Sequence, residues 1–183
     1  MIRPAQPSDS QALADLYNYY VLNSVTTFES EPISGDEMGS RVDEVQQLGL
    51  PWIVVEAKAE AKAKAEDDAV VCGYACAVRW KQRAAYQHSV ESTVYLAEGY
   101  SGRGLGIAIY SELMDSLQQL GVHAVMAGIA LPNAASVGLH EKLGFEKVAH
   151  LREVGRKFER WVDVGYWQRL LPKDEERASL LES

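Results

Sequence analysis

Apolar positions in this chain recur with two periods, and the alternation between them lays out the fold. Leu13, Leu16, Tyr17 and Tyr20 fall on one helical face, and Ser8 with Gln11 offers a capping box in front of them. A second box, Ser34 with Glu37, precedes Met38, Val42 and Val45 at the same spacing. Leu105, Ile109, Leu113, Leu117 and Leu120 predict a third helix, which Gly121 stops. Residues Ala134 to Leu143 predict a short fourth helix, closed by Gly144. Between the helices lie β-branched and aromatic runs: Trp52 to Glu56, Val70 to Trp80, Ser89 to Ala97 and Val122 to Ala130. Two final strands are predicted over Glu146 to Val154 and Arg160 to Trp167. Strands and helices interleave without repeat or linker, which predicts one α/β domain over residues 1–171.

Two stretches stand apart from this pattern. Residues 57–68 alternate Ala with Lys, Glu and Asp and offer no large side chain to bury. They read as a low-complexity insertion at a hairpin tip. Residues 172–183 form an acidic tail. The loop Thr26 to Glu29 carries one exposed-looking aromatic, Phe28.

Composition then narrows the function classes. The 183 residues suit one domain, and 47% hydrophobic content can fill its core. Eighteen basic against 26 acidic side chains give a net charge of −8, which argues against a broad nucleic-acid surface. A local loop can still be positive and take an anionic ligand. The first residues reach charge at once, without the apolar core of an export signal. No apolar run approaches the ~18 residues of a membrane span. Cys72 and Cys76 share a predicted strand, about 13 Å apart, too far for a disulfide and too few for a metal site. They read as buried thiols in a reducing cytoplasm, with no metal expected.

The chemistry-bearing segments come next. Ser101-Gly102-Arg103-Gly104-Leu105-Gly106 sits between a strand and a helix. Glycines there allow a sharp turn and close approach of a ligand, while helix-start N–H groups beside the positive dipole end suit phosphate oxygens. No Gly-Lys-Ser/Thr follows, so this is not a P-loop, and the mid-chain position and glycine spacing differ from a dinucleotide fingerprint. The second segment runs from Asn133 through Ser136, Leu139 and His140 to Gly144-Phe145.

Together these two segments resemble the GNAT superfamily of acetyl-CoA-dependent N-acetyltransferases. Ile2-Arg3-Pro4-Ala5, the run Ser89 to Leu96, Leu131-Pro132-Asn133, Leu139-His140-Glu141 and the run Trp161 to Gln168 are similar to its phosphinothricin and methionine sulfoximine or methionine sulfone N-acetyltransferases. The resemblance spans about Ile2 to Leu171, interrupted at the Ala/Lys/Glu insertion. It implies an α/β GNAT fold, with a mixed central sheet splayed between two parallel strands and flanked by helices. It also implies acetyl-CoA as cosubstrate, a small amino-acid-like amine as acceptor, and a homodimer formed through edge strands.

Carried onto this chain, the resemblance places the backbone of Val94, Tyr95 and Leu96 along the pantetheine arm. It gives Gly102, Arg103, Gly104, Leu105, Gly106 and Ile107 to the pyrophosphate, and Asn133 to the far side of the pantetheine. Lys81, Gln82 and Arg83, with Glu91, Ser92 and Thr93, match the acceptor site, and Phe28 would wall it. Two positions depart from the usual patterns. Ser101 stands where the family carries a long Gln or Arg, and His140 where the wider superfamily often carries a Tyr.

The reaction needs a base, because an amino acid arrives as an ammonium. Glu91, a lone carboxylate in an apolar strand, is the candidate; a structural partner for a nearby Arg is the alternative. A strand N–H freed by the splay, that of Leu96, would hold the oxyanion. His140 would protonate the thiolate, or serve only as a helix-surface histidine bonded to backbone. Arg83 or Lys81 would pair with the acceptor's acidic groups, or stand as solvated strand-end charges. Acetylation of protein N-termini, and a silent acyl-CoA-binding module, are the competing functions.

Overall fold

The computed structural model describes residues 1–58 and 69–172. Its strands are β1 (Ile2–Pro4), β2 (Trp52–Lys58), β3 (Ala69–Arg79), β4 (Ser89–Leu96), β5 (Ala124–Leu131), β6 (Glu146–Lys157) and β7 (Arg160–Leu170). Its helices are α1 (Ser10–Asn23), α2 (Gly35–Gln47), α3 (Leu105–Gln119) and α4 (Ala134–Lys142). All seven strands join one sheet in the order β1-β2-β3-β4-β5-β7-β6. Every neighbouring pair is antiparallel except β4 and β5. The tip expected at 57–68 falls mostly outside the described residues, as does the tail beyond Pro172; Lys58 and Ala69, at either side of the gap, are paired.

The period-two pattern explains why the sheet is covered on both faces. On β2, Ile53 and Val55 turn towards Ile109, Leu113 and Leu117 of α3. Trp52 and Val54 turn the other way, into a second core with Leu13 and Val21 of α1 and Met38 of α2. Cys72 lies in the first core and Cys76 in the second, both as free thiols. No helix among the described residues is long and apolar enough to cross a membrane.

Helix starts were partly legible. Ser34 caps α2 by accepting the Glu37 N–H at 3.1 Å, as its spacing predicts. Ser8 does not cap α1. A 3₁₀ turn, Pro7–Asp9, precedes that helix, and Asp9 Oδ2 instead accepts the Gln6 N–H at 2.8 Å. Asp9 is fixed there by Arg3 of β1, which bonds both its carboxylate oxygens at 2.7 and 2.9 Å and reaches Glu56 at 2.6 Å. A tertiary ion pair thus outcompetes the local box.

The last hairpin also runs longer than its apolar pattern predicts. Phe158 and Glu159 turn it with φ of 49° and 60°, the left-handed geometry of a two-residue primed turn. Asp163 of β7 holds an irregularity in β6, accepting the Glu153 N–H at 2.8 Å and meeting His150 Nε2 at 2.7 Å.

Candidate active site

The parallel ladder between β4 and β5 has three rungs, Ser89↔Ala124, Val90↔Val125 and Glu91↔Met126. Beyond Glu91 the two strands continue without pairing each other, β4 to Leu96 and β5 to Leu131. This is the predicted splay, and a cavity of about 800 Å³ opens in it. One wall is β4 from Ser92 to Leu96, and the opposite wall is Gly128 to Ala130 of β5. The glycine turn and the start of α3 close one end, α4 flanks it from Asn133 to Lys142, and Tyr20, Thr26 and Thr27 reach in from α1 and its following loop.

Strand alternation decides what the gap presents. Ala97 N–H bonds Cys72 O of β3 at 2.8 Å, so Leu96 and Val94, at alternate positions, turn their N–H and C=O groups towards the splay. The Leu96 carbonyl is taken by the Tyr20 hydroxyl at 2.6 Å. The N–H groups of Val94 and Leu96 face a gap where β5 offers no ladder partner.

At the turn, Gly102 and Gly104 have φ of 76° and 80°, a conformation costly to any residue with a Cβ. Gly104 is the N-cap of α3 and supplies no side-chain acceptor. The first helical bond is Ala108 N–H to Gly104 O at 3.0 Å, so the earlier N–H groups, those of Leu105, Gly106 and Ile107, carry no intrahelical bond. Ser101, Gly102, Gly104, Gly106 and Ile107 line the cavity. Arg103 does not; its guanidinium stands 5.3 Å from the Tyr100 ring. Leu105 packs on the core. Asn133 lines the cavity, but its Oδ1 caps α4 through the Ser136 N–H at 3.0 Å, leaving the side-chain amide for other contacts.

Glu91 stands at the vertex of the splay. A Cβ on Gly128 would meet its Oε1 at 3.1 Å, so glycine is what lets the carboxylate reach past β5. Burial pushes the Glu91 carboxyl above the ordinary carboxylate range, and the Lys81 charge pulls it partly back. It accepts no hydrogen bond from any described residue, and no arginine pairs with it there. Beside it, Trp80 meets Tyr166 edge to face at 5.5 Å, and Tyr166 lies against Gly128.

The remaining acceptor-side residues divide. Ser92 and Thr93 line the cavity, whereas Lys81, Gln82 and Arg83 are exposed and lie off its lining. Lys81 is folded over the Trp80 ring at 4.7 Å and acts on the site through its charge. Phe28 is 43% exposed and covers Gly155 of β6, where a side chain would collide with its ring. Its neighbours Thr26 and Thr27 form the wall instead.

His140 is not the helix-surface histidine that α4 alone suggested. It is 3% exposed, with Nδ1 2.7 Å from Ser136 O and Nε2 3.0 Å from the Tyr110 hydroxyl. Burial lowers its pKa, against the Ser136 carbonyl, which raises it. Tyr110 Oη in turn meets Ser92 Oγ at 2.6 Å.

Sequence reasoning missed Tyr20, Tyr110 and Gly128 as site residues. The tyrosines fall on apolar helical faces and read as core. Gly128 carried a signal: an isolated glycine in a strand marks close approach of another group.

Comparison with known proteins agrees with this geometry. A family model described as an acetyltransferase (GNAT) domain matches residues 2–165. A phosphinothricin N-acetyltransferase of Streptomyces viridochromogenes is 40% identical over 170 residues, 92% of this chain and 86% of that protein. An L-methionine sulfoximine/L-methionine sulfone acetyltransferase of Salmonella typhimurium is 34% identical over 177 residues, covering 97% and 96%. A solved acetyltransferase of Salmonella typhimurium, with its cofactor acetyl-CoA, superposes with a TM-score of 0.86 at 33% identity, over 94% of each chain.

Proposed function

This chain belongs to the GNAT family of acetyltransferases, and from that membership we propose that it acetylates small amino acids. The donor is acetyl-CoA, and the acceptor is the α-amino group of a phosphinothricin, methionine sulfoximine or methionine sulfone type of substrate. The observation that carries this reading is the ladder that stops at Glu91: a partly buried carboxylate stands where the cavity through the sheet begins. The free N–H groups at the start of α3 fit the CoA pyrophosphate, and the unpaired β4 backbone fits the amide-bearing pantetheine arm.

Glu91 takes a proton from the acceptor's ammonium, directly or through water. The freed amine attacks the thioester carbon, and the Leu96 N–H stabilises the oxyanion, a donor of the kind worth about 3–4 kcal/mol at the transition state. The new amide nitrogen releases its second proton to water as the C–S bond breaks, and the thiolate receives a proton that originates at His140. Lys81 adds positive charge near the acceptor's acidic groups without entering the cavity.

The enzyme works in the cytoplasm as a homodimer that detoxifies amino-acid analogues. Support for the dimer comes from β6, a sheet edge with Val148, Leu151 and Val154 exposed. Thiol release with phosphinothricin, methionine sulfoximine, methionine sulfone and a short peptide tests the acceptor. Release with the amino acids supports this reading. Release only with the peptide replaces it with N-terminal protein acetylation, and CoA binding without release replaces it with a binding module.

A further inference from the structure

Along the cavity wall, four hydrogen bonds run in series through three side chains. His140 Nδ1 meets Ser136 O at 2.7 Å, and His140 Nε2 meets Tyr110 Oη at 3.0 Å. Tyr110 Oη meets Ser92 Oγ at 2.6 Å, and Ser92 Oγ meets Met126 O at 3.1 Å. Both ends are carbonyls, which only accept. Ser136 Oγ also lies 3.4 Å from Nδ1, but the carbonyl contact at 2.7 Å is shorter, so Nδ1 must carry a hydrogen, and so must the Ser92 hydroxyl if Met126 O is satisfied. Tyr110 must then donate to Ser92, and only a hydrogen on Nε2 is left for the histidine–tyrosine contact. Four contacts need four hydrogens, while neutral histidine, tyrosine and serine bring three. The series is one proton short. Ser92 and His140 both line the cavity, with Tyr110 fully buried between them, but both ring nitrogens of His140 are engaged, by Ser136 O and Tyr110 Oη.

We propose that Ser92, Tyr110 and His140 are one proton relay, loaded at His140 Nε2 and discharged into the cavity from Ser92 Oγ onto the departing thiolate. The proposal rests on the acetyl-transfer reading for the identity of that thiolate. In the discharge the Ser92 O–H bond breaks and an S–H bond forms. Ser92 takes the Tyr110 proton, Tyr110 takes the Nε2 proton, and the imidazole returns to neutral. Water reloads it. Ser92 is then the catalytic residue, and Tyr110 and His140 act through it.

Charged and titratable groups frame the relay from each side. Cys76 of β3, Glu91 of β4 and Arg169 of β7 act on the Tyr110 hydroxyl, and Glu141 beside His140 is bound by the Trp167 indole at 3.2 Å. Burial favours the neutral imidazole, and the unsatisfied contact favours the loaded one.

Ser92→Ala leaves two contacts and two hydrogens with neutral histidine, so the demand for the extra proton disappears. Tyr110→Phe leaves Nε2–H without an acceptor. NMR titration of the His140 ring should show proton affinity falling about three- to tenfold in Ser92→Ala, the effect of one hydrogen bond, and further in Tyr110→Phe. Turnover of the wild type should fall at alkaline pH along the His140 titration, and that limb should be lost in Ser92→Ala, which has no hydroxyl to pass the proton on. An unchanged His140 titration in Ser92→Ala overturns the relay, as does an alkaline limb that survives the substitution. Should Tyr110→Phe fail to fold, Ser92→Ala alone decides. A shifted titration in a protein that acetylates no acceptor supports the proton count and overturns the acetyl-transfer reading instead.

Discussion

Glu91→Gln is the substitution that most sharply separates chemistry from structure at this site. The side chain keeps its size, loses its charge, and strands no partner, because Glu91 accepts no hydrogen bond from a described residue. A positioned general base contributes about 10²–10⁴ in rate, or about 2.7–5.4 kcal/mol at 1.36 kcal/mol per tenfold. The middle of that range is expected at pH 7, a loss of about 10³ in turnover, because the acceptor amine arrives protonated. Raising the pH supplies free amine without a base, so the gap should narrow by about tenfold per unit until the amine is free. In the wild type, kcat/KM should rise with pH through the Glu91 carboxyl, which burial holds above the ordinary carboxylate range. The variant should lack that limb.

Stability gives an independent check with the opposite sign. A raised carboxyl pKa means the folded state prefers the protonated form. Its contribution is present below the unfolded pKa and is lost as pH rises through the folded one. At neutral pH the ionised Glu91 therefore costs stability, and Glu91→Gln should melt at the same temperature or higher, with the difference vanishing in acid. Thiol-release kinetics from pH 6 to 9 and thermal melts measure both. Wild-type turnover at pH 7 removes Glu91 from the mechanism. A loss that stays constant to pH 9, with a lower melting temperature, makes it a structural residue.

Three further outcomes follow from the geometry. Gly104→Ala meets no neighbour within 4 Å, so its cost is the left-handed φ of 80°, about 1–2 kcal/mol; calorimetry should show a lower melting temperature, and re-aimed α3 N–H groups should raise KM for acetyl-CoA while kcat holds. Arg3→Ala leaves Asp9 and Glu56 without their cation, an expected loss of about 3 kcal/mol in urea unfolding. Because Arg3 lowers the Asp9 pKa, that stabilisation is present above the ordinary carboxylate range, and the wild type should forfeit it as pH falls through the folded Asp9 pKa. Glu159→Gly relieves a left-handed residue at the β6–β7 turn and should raise stability by about 1 kcal/mol, read as a higher melting temperature.

What could be read from the chain divides by the range of the forces involved. Alternation and helical spacing are local, and they located all the helices and every strand but β1. The Ser34 cap is local too, and it forms. The Ser8 box failed because Arg3, six residues before Asp9 and 53 before Glu56, binds both carboxylates and sets where α1 begins. The turn at Phe158-Glu159 lacks the Asn-Gly signature, because pairing along β6 and β7 imposes a conformation those residues do not prefer. At the site, the glycine turn that lines the cavity was legible because its needs are backbone needs, and glycines advertise them. Of the residues matched to the acceptor, Ser92 and Thr93 line the cavity and others do not. Lys81 sits over Trp80 and Phe28 over Gly155, and neither preference is written in the segment that carries it.

The same division explains why a protein with a net charge of −8 can serve a polyanionic cosubstrate. On the proposed reading the donors to phosphate are main-chain N–H groups, which carry no formal charge and do not enter that sum. Arg103, the one cation in the glycine turn, lies off the cavity lining, against Tyr100. Binding by backbone dipoles needs an exact chain path rather than a basic composition, and Gly102 and Gly104 supply that path through their positive φ. At the cavity the order is reversed, with Glu91 at the vertex of the splay, just off the lining, and His140 in it. Glu91 and His140 are both displaced by burial towards their neutral forms, the carboxyl upward and the imidazole downward. The upward shift brings the carboxyl closer to the range in which amines give up protons, while the downward shift makes a charged imidazole a readier proton donor. The bulk charge describes the surface, and the chemistry depends on what the splayed sheet withholds from water.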